Sequence, residues 1–353
     1  MKVIHLITTI DLGGAERQLA ILTKHQVKNG LQVEIIYLKG EGQLLNVFFK
    51  NGVKVNSTYA NQNVLYQIFK LFFYLNKNAD IIHAHLSRCE VFSALLKINS
   101  KLIVTKHNSE QLFPKKWKLF SKFLARFVAL RADAIITISN AVREFLISIQ
   151  ELNPKKPIHV VYYGYDDNLP SASFKKKIPH KFNFGTVCRL ENQKDVRTLL
   201  FAWKKYQTFY KHDALKIVGR GSREFELKCL AKSLELKNIS WLKTNSNIVK
   251  FYSNFDVFIL STFYEGFGLV LLEAMQFKLP ILASNNTSVP EVLGVNYLGL
   301  VQTQNSDELS LKMLELKSNS MYKKLAKQSA KRLSKFNPSE MAIKILDIYE
   351  SYI

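Results

Sequence analysis

The stretch from residue 256 to 275 constrains the fold more than any other part of the chain. It opens with a short apolar run, 256–261, which predicts a buried parallel strand. Gly266 and Gly268 follow, and apolar residues then recur at the three-residue spacing of a helix. A strand, a glycine turn and a helix in this order are typical of an open α/β sheet. The N–H groups at such a helix start favour an anionic ligand in the turn.

Two glutamates, Glu265 and Glu273, stand on either side of this turn. Carboxylates can accept hydrogen bonds from polyol hydroxyls, so the pattern suits a ligand that is phosphate in the middle and sugar at both ends. A second interpretation is structural: one carboxylate is favoured by the dipole of the helix start, and the other is a solvated surface group. The spacing alone leaves both interpretations open.

The same alternation of strand and helix recurs along the chain and predicts parallel sheets with crossover helices. In the first half, the predicted strands are 3–7, 32–37, 81–84, 102–105, 134–138 and 158–161. A new alternation starts at Phe182. A chain of 353 residues is too long for one ordinary core and suits two domains. We therefore predict an α/β protein of two domains, each built on a parallel sheet.

Other turns carry glycines or cations that suit a phosphate ligand. Gly13 and Gly14 lie between the first strand and a helix, but the turn lacks the Gly-x-Gly-x-x-Gly pattern of nicotinamide sites. Arg189 at a strand end and Lys194 at the next helix start could clamp a diphosphate, or they could be ordinary surface charges. Gly219 lies in another turn between a strand and a helix.

Together these motifs resemble the signature of the retaining nucleotide-sugar glycosyltransferases of family 4, which have the GT-B fold. The resemblance implies an α/β architecture of two facing Rossmann-like domains with the reaction cleft between them. The central stretch has the form Glu, seven residues, Glu, with Gly-Phe-Gly after the first Glu and Glu-Ala-Met at the second. Residues 13–17 read Gly-Gly-Ala-Glu-Arg, a familiar opening of the family, and 217–221 match its Val-Gly-x-Gly element. Residues 184–195 resemble Gly-Arg-Leu-x-x-x-Lys-Gly, although Cys188 and Asp195 replace its two glycines.

The resemblance implies roles for individual residues. Arg189 and Lys194 would neutralise the leaving nucleoside diphosphate. Glu265 would hold the region of the donor sugar's 3- and 4-hydroxyls, and Glu273 would hold the ribose. His107 would reach the donor sugar, typically at its 6-hydroxyl or at a neighbouring atom near the reacting carbon. These implications make His107, Glu265, Arg189 and Lys194 the expected catalytic residues. The expected donor-binding residues are Gly13, Gly14, Arg189, Lys194, Gly219, Glu265, Gly266, Phe267, Gly268, Leu269, Val270 and Glu273.

The resemblance also implies a division of labour between the domains. Residues 1–168 would form the acceptor-binding domain, completed by a C-terminal helix, 338–353, that crosses back to it. Residues 169–181, which include a Pro-, Ser- and Lys-rich stretch, would be the linker. Residues 182–337 would bind the nucleotide-sugar, which we expect to be UDP-linked.

Three histidines lie at or just beyond strand ends in the first half. His83 and His85 share one face of their strand, and His107 follows the next strand. They could bind zinc, but no carboxylate or cysteine stands beside them at ligand spacing. We therefore expect no metal and no cofactor beyond the nucleotide-sugar substrate, and we expect His83 and His85 either to line the acceptor cleft or to pack.

The segment 113–131 contains no acidic residue. On a helical wheel Lys115, Lys118, Lys122 and Arg126 fall in one arc, and aromatic residues fall on the opposite side. An interfacial helix on an anionic membrane has this pattern. The alternative is a surface helix whose aromatic face is simply core, and the sequence leaves that open.

Composition narrows the partners and the compartment. The net charge of +22 favours polyanions such as an anionic membrane face, nucleic acid or an acidic substrate. No apolar run approaches the roughly 20 residues of a membrane span, no signal peptide is recognisable, and the three cysteines form no disulfide pattern. We expect a cytoplasmic protein, peripheral on the inner face of the membrane.

The predicted reaction is sugar transfer, hexosyl or N-acetylhexosaminyl, to a saccharide or lipid-linked acceptor. The basic helix favours acceptors of bacterial cell-surface polysaccharide synthesis, that is, lipopolysaccharide, O-antigen or capsule. A same-fold sugar-nucleotide epimerase or phosphorylase is the first alternative. A basic nucleic-acid-binding protein is the second, although the sequence shows no recognised binding module, so no nucleic acid is expected.

Overall fold

Parallel strands alternate with helices along the chain, as the sequence predicts. The computed structural model describes residues 1–112, 118–174, 179–243 and 248–353. The chain divides into two units, each with its own sheet. Unit 1 comprises residues 1–164 and 337–353, and unit 2 comprises residues 165–336.

Among its described residues, unit 1 has a parallel sheet of seven strands. The strands are β1 Lys2–Ile7, β2 Gln32–Tyr37, β3 Lys54–Asn56, β4 Ile81–His85, β5 Lys101–Lys106, β6 Ala134–Thr137 and β7 Ile158–Val160. The helices are α1 Gly14–Lys28, α2 Leu45–Lys50, α3 Val64–Asn78, α4 Ser87–Leu96, α5 Lys118–Arg131, α6 Asn140–Ser148 and, from the end of the chain, α14 Pro338–Glu350.

The strand order of unit 1 is β3-β2-β1-β4-β5-β6-β7. The central strands are apolar runs buried on both faces, as a sheet covered by helices requires. α14 packs against α1 on one face, and its start is fixed by Asn337, whose side chain accepts a hydrogen bond from the N–H of Ser339. The order reverses between β1 and β4, which makes that pair of strand ends the place where a ligand crevice forms.

Unit 2 repeats this plan with six parallel strands among its described residues. They are β8 Asn183–Val187, β9 Ala214–Val218, β10 Ile239–Leu242, β11 Val257–Leu260, β12 Ile281–Ser284 and β13 Leu300–Val301. The helices are α7 Val196–Tyr206, α8 Glu224–Ser233, α9 Ile248–Ser253, α10 Leu269–Gln276, α11 Val289–Leu293, α12 Ser306–Glu315 and α13 Asn319–Leu333.

The strand order of unit 2 is β10-β9-β8-β11-β12-β13. β8 therefore has β9 on one side and β11 on the other. From β8 the chain continues to β9, and from β11 it continues to β12, which lies at the opposite side of the β8–β11 pair. The order of both sheets is that of a Rossmann fold, and in unit 2 the switch point lies between β8 and β11. The turn in the central stretch of the sequence follows β11.

The units divide after Gly164, not after residue 168, and the first part of the predicted linker belongs to unit 2. The backbone N–H of Tyr165 donates to the carbonyl of Phe336, and the N–H of Ala172 donates to the carbonyl of Gln276. The Gln276 side chain in turn donates to the carbonyl of Asp166. These bonds fasten the segment to unit 2 although its composition is that of a linker. The adjoining residues 175–178 lie outside the described residues.

Aromatic side chains fill the core of unit 2 under β8. The Phe184 ring lies edge-on to Trp203 and Tyr206 of α7, with ring centroids 5.8 and 5.0 Å away. All three side chains are fully buried. This cluster anchors α7 to the strand whose carboxyl end leads into the switch point.

We expect Phe184→Ala to lower the free energy of unfolding of unit 2 by about 3–5 kcal/mol, because it opens a cavity in this aromatic cluster. Chemical denaturation followed by fluorescence measures the shift. The matched control is Phe225→Ala, where the side chain is exposed, and its change should stay within about 0.5 kcal/mol. Equal effects of the two substitutions would contradict the assignment of this cluster as core.

Candidate functional site

The switch point of unit 2 brings two loops together. The loop after β8 (residues 188–195) is tied to the loop after β11 (residues 261–268) through Gln193. Its carbonyl accepts from the N–H of Phe263 at 2.8 Å and from the hydroxyl of Thr262 at 3.0 Å. Its side chain donates to the carbonyl of Tyr264 at 2.8 Å. Lys194 is therefore held beside Glu265.

Lys194 and Glu265 form an ion pair in which Lys194 Nζ lies 2.5 Å from Glu265 Oε1. The pair is largely removed from water, since the lysine side chain is 13% exposed and the glutamate side chain 7%. The backbone of Glu265 is also held, because its N–H donates to the Thr287 hydroxyl and its carbonyl accepts from the Ser288 hydroxyl. The sequence suggested separate roles for these two charges, whereas the structure pairs them.

The glycine turn sets the start of α10. Gly268 has φ +86°, a conformation that glycine adopts without strain, and its backbone precedes the first helical residue. Phe267 is buried, with its ring edge-on to Phe336 at 5.7 Å. Leu269 and Val270 then open the helix, so its first N–H groups follow closely after Glu265 in the sequence and lie at the same sheet edge as the Lys194–Glu265 pair.

Glu273 lies one turn further along α10 and is half-buried. Its Oε2 accepts a hydrogen bond from the hydroxyl of Tyr252 at 2.6 Å. Tyr252 could not be predicted from the sequence as a partner of Glu273, because it belongs to a different helix, α9. The tyrosine fixes one carboxylate oxygen and thereby orients the other.

Arg189 and Gly219 lie on the adjacent loops that follow β8 and β9. A Cβ atom at Gly219 would come within 1.8 Å of the carbonyl oxygen of Cys188, so the close approach of the two loops requires glycine. The N–H of Leu190 donates to the carbonyl of Arg220 at 2.8 Å and continues this contact. Arg189 stands between these contacts with an exposed side chain.

Asp195 occupies the place where the resemblance has a glycine. Its backbone has φ 41° and ψ 45°, which is the left-handed region. Aspartate tolerates this conformation better than most residues because its short side chain bonds to nearby backbone. Here the carboxylate accepts from the N–H of Thr198 and caps α7. The substitution therefore preserves the turn that presents Lys194.

At the switch point of unit 1, Gly13 precedes α1 and Gly14 begins it. The turn before them is braced by Asp11, whose Oδ1 accepts from the N–H groups of Glu41, Gly42 and Gln43 at 2.9–3.3 Å. The glycine turn is thus fixed to the loop after β2.

Unit 1 also holds a cluster of histidines on one face of the sheet. In register, His5 of β1 lies beside His83 of β4, and His85 lies beside Thr105 of β5. The nitrogens of His5 and His85 are 3.0 Å apart, and those of His85 and His107 are 2.9 Å apart. His5 was not predicted to belong to this group. The signal that could have found it is its position in the apolar run of the first strand, which is expected to lie beside the strand of His83 and His85.

Burial is the main cause of the unusual acidity of these imidazolium ions. It lowers the pKa of His5 to about 4 and, with the nearby Lys106 charge, the pKa of His107 to about 3. Burial and the neighbouring histidines hold the pKa values of His83 and His85 well below the usual range. The cluster is therefore uncharged at neutral pH.

Donor nitrogens of His5, His83 and His85 lie within 4.8 Å of one another, as a metal site would need. Both ring nitrogens of each residue are, however, engaged in hydrogen bonds. His83 contacts the hydroxyls of Tyr349 and Thr105 at 2.6 and 2.7 Å. His5 and His85 contact each other, and the second ring nitrogen of each contacts a further side chain. A metal ion would have to displace these partners.

A small cavity of about 20 Å³ borders this cluster. Its lining includes Gln18, His85, His107, Tyr163 and Met341. The volume is that of roughly one water molecule, so this cavity does not accommodate a sugar.

The predicted basic helix is described from Lys118 onward, as α5. Lys115 and the side chain of Lys118 lie outside the described residues. Lys122 Nζ donates to the Gln150 side chain at 2.5 Å, and Arg126 Nε donates to the Gln150 carbonyl at 3.0 Å. These two cations lie on the same side of the helix, as the helical wheel predicts.

Comparison with known proteins places this architecture in a family. A family model described as "Glycosyltransferase Family 4" matches residues 12–169, and one described as "Glycosyl transferases group 1" matches residues 170–333. Together the two models cover most of both units.

Individual relatives extend over similar lengths. A Campylobacter jejuni protein named as an α-1,4-N-acetyl-D-galactosaminyltransferase acting on a diNAcBac-PP-undecaprenol-linked acceptor is 28% identical over 369 residues, 97% of this chain and 96% of its own. A second C. jejuni protein, named as an N-acetylgalactosaminyltransferase for a diphospho-undecaprenol-linked acceptor, is 30% identical over 237 residues, 65% of this chain and 64% of its own.

Among solved structures, Anabaena HepE in complex with UDP and glucose superposes with a TM-score of 0.84 at 20% identity, covering 99% of this chain and 100% of that one. The likeness confirms the predicted fold class of two Rossmann-like domains of the GT-B type.

We expect Lys194→Met to lower the free energy of unfolding by about 3 kcal/mol, because it leaves the buried Glu265 carboxylate without its cation. Thermal or chemical denaturation provides the measurement. Lys205→Met is the matched control, since its pair with Asp307 is exposed and should contribute less than about 1 kcal/mol. A Lys194→Met variant as stable as the control would show that the pair does not hold the two loops together.

Proposed function

Because the chain belongs to the family 4-type glycosyltransferases of GT-B fold, we propose that it transfers a sugar from a UDP-linked donor to a saccharide or lipid-linked acceptor. We further propose that the anomeric configuration is retained. The observation that carries the proposal is the buried Lys194–Glu265 pair at the switch point, beside the amino end of α10. Lys194 is a cation for phosphate, and Glu265 is an acceptor for sugar hydroxyls.

The main task of such a site is to release a diphosphate from an oxocarbenium-like carbon. Negative charge grows on the departing phosphate in the transition state. Arg189, Lys194 and the first N–H groups of α10 supply positive charge and aligned dipoles for it. Arg189 provides a planar fork that suits two phosphate oxygens, and Lys194 provides a point charge. We propose that these groups do the work that a bound metal ion does in other phosphoryl-releasing sites.

The same geometry orients the sugars on either side of the phosphates. Glu265 is fixed at both its backbone groups and its side chain, so its second carboxylate oxygen is presented at a defined position. We assign it to the donor sugar's hydroxyls, as the family resemblance implies. Glu273, oriented by Tyr252, is assigned to the ribose. His107 is assigned to the donor sugar near its reacting carbon.

The choice of UDP rests on the solved complex of HepE with UDP and glucose, a structure of the same fold. The transferred sugar is a hexose or an N-acetylhexosamine, the two classes named for the relatives and the HepE complex. The acceptor proposal rests on the two C. jejuni relatives, whose names specify acceptors carried on a lipid diphosphate. A role in bacterial surface polysaccharide synthesis follows from acceptors of this class.

The exposed surface of unit 1 supports the proposal that the acceptor is membrane-bound. On α5 the aromatic side chains face solvent, with Phe120 53% and Phe123 68% exposed, while small residues such as Ala125 pack inward. The alternative that this aromatic face is core is wrong for these two residues. α4 packs between α3 and α5, and α3 presents Leu65 and Phe69, which are 80% and 61% exposed.

Neither α3 nor α5 contains an acidic residue, whereas both contain lysine. Exposed apolar groups flanked by cations match an anionic bilayer surface, in which the cations meet phosphate head groups and the aromatics enter the acyl boundary. Among the described residues, no helix combines the length and apolarity needed to cross a bilayer. We therefore propose that unit 1 rests on an anionic membrane through α3 and α5.

We expect Glu265→Ala and Arg189→Ala each to reduce turnover by a factor of about a hundred, because each removes a group aimed at the transition state. Release of UDP in the presence of acceptor measures turnover. Arg197→Ala, which removes an exposed arginine paired with Glu226, should keep nearly full activity. Near-normal transfer by either site variant would refute these assignments.

For the membrane, we expect the protein to float with anionic liposomes and not with neutral ones. A variant with Lys115, Lys118, Lys122 and Arg126 changed to Gln should lose this binding, and so should one with Phe120→Ser and Phe123→Ser. The control carries Phe209→Ser and Phe225→Ser, two exposed aromatics of unit 2, and should bind as wild type does. Unchanged flotation of both test variants would sink the proposal.

A further inference from the structure

The histidine cluster forms one continuous chain of hydrogen bonds with a direction. It starts at Gln26 of α1, whose side-chain oxygen lies 2.8 Å from His5 Nε2. An amide oxygen only accepts, so His5 carries its proton on Nε2. Because His5 is neutral, its Nδ1 has no proton and must accept from His85 Nε2, 3.0 Å away.

The same reasoning passes along the chain to His107. His85 has spent its proton on His5, so its Nδ1 accepts from His107 Nε2 at 2.9 Å. His107 Nδ1 is then an acceptor as well, and it accepts a hydrogen bond from the Tyr163 hydroxyl at 2.5 Å. His107 is therefore neutral, protonated on Nε2, and presents Nδ1 as an acceptor.

A second branch leaves the same amide. The Gln26 side-chain nitrogen donates to the hydroxyl of Tyr349 on α14 at 3.1 Å. The Tyr349 hydroxyl then donates a hydrogen bond to His83 Nδ1, and His83 Nε2 donates one to the Thr105 hydroxyl. One glutamine thus sets the protonation of both branches, because its oxygen and its nitrogen cannot exchange places without reversing every bond.

The surroundings keep the hydrogen-bonded network uncharged. No member of the network is a carboxylate that would stabilise an imidazolium ion. The members are Gln26, His5, His85, His107, Tyr163, Tyr349, His83 and Thr105. Beside His107, the charge of Lys106 is paired with Glu90 at 2.5 Å, and near Tyr163 the carboxylate of Glu16 accepts from the Thr9 hydroxyl. Apart from His107, which is partly exposed, the histidines of this hydrogen-bonded network are buried.

We infer that Gln26, His5 and His85 are positioning residues that lock His107 in its neutral Nε2–H tautomer, so that Nδ1 is always the acceptor. A sugar hydroxyl that displaces Tyr163 would donate to this nitrogen. The lock also keeps an imidazolium charge away from the reacting carbon, where developing positive charge would be repelled. This consequence for catalysis rests on the proposed role of His107, whereas the lock itself does not.

Histidine tautomers can be read directly by NMR of protein labelled with ¹⁵N-histidine, through couplings between the ring nitrogens and carbon-bound protons. The eight histidines are assigned by single substitution. We expect His107 in the wild type to show the Nε2–H form alone and to remain neutral from pH 6 to 8. A charged ring or the Nδ1–H form in this range would overturn the inference.

Three variants locate the origin of the lock. Tyr163→Phe removes the far end of the chain and should leave His107 in the Nε2–H form, because the direction is set at Gln26. His85→Gln, whose amide can both donate and accept, should also keep it. His85→Leu interrupts the chain and should let the Nδ1–H form appear. His212→Gln, an exposed histidine of unit 2, is the control and should change nothing.

A reversed tautomer in Tyr163→Phe, or an unchanged one in His85→Leu, would contradict the lock. Circular dichroism reports whether His85→Leu is folded, and if it is not, the wild type and Tyr163→Phe still decide the question. In transfer assays kcat of His85→Leu should fall about five- to tenfold, the weight of one hydrogen bond, with less effect on KM. A changed tautomer with unchanged kcat would refute only the catalytic consequence, and a wild type without transfer activity would refute the proposed function.

Discussion

The site of unit 2 depends on the ion pair between Lys194 and Glu265. The pair lies where the connections from two neighbouring parallel strands run in opposite directions. β8 and β11 are neighbours, but the chain leaves them in opposite directions, and this opens a crevice at their carboxyl ends. The two loops that follow these strands are tied together through Gln193. Because Lys194 and Glu265 lie on different loops, their contact holds the proposed cation for phosphate beside the proposed acceptor for sugar hydroxyls. Sheet topology and local charge thus produce one site.

Unit 1 uses the same topology for a different purpose. Its central strands place histidines in register on one face, and α1 and α14 contribute Gln26 and Tyr349 from above that face. The C-terminal helix therefore does more than complete the fold, because it supplies a partner to the histidine network. Burial keeps the network neutral, whereas in unit 2 the charges of the pair are retained.

Much of the fold could be predicted from sequence because most of the buried parallel strands are short apolar runs separated by helix-length segments. β4 and β11 are examples. Contacts between distant residues could not be predicted. The spacing in sequence does not predict the hydrogen bond between Tyr252 and Glu273 or the one between Gln26 and His5, because both bonds depend on how a helix packs. The exposure of Phe120 and Phe123 also required the structure, because a helical wheel does not say which side faces the sheet.

We propose that the switch point of unit 2 binds the diphosphate of a nucleotide-sugar through Arg189, Lys194 and the start of α10. Calorimetric titration of the protein with UDP and with uridine, both in the presence of EDTA, measures the contribution of the diphosphate. We expect UDP to bind about a hundredfold more tightly than uridine, the contribution of roughly two charge-assisted hydrogen bonds. Equal affinities for the two ligands would contradict it.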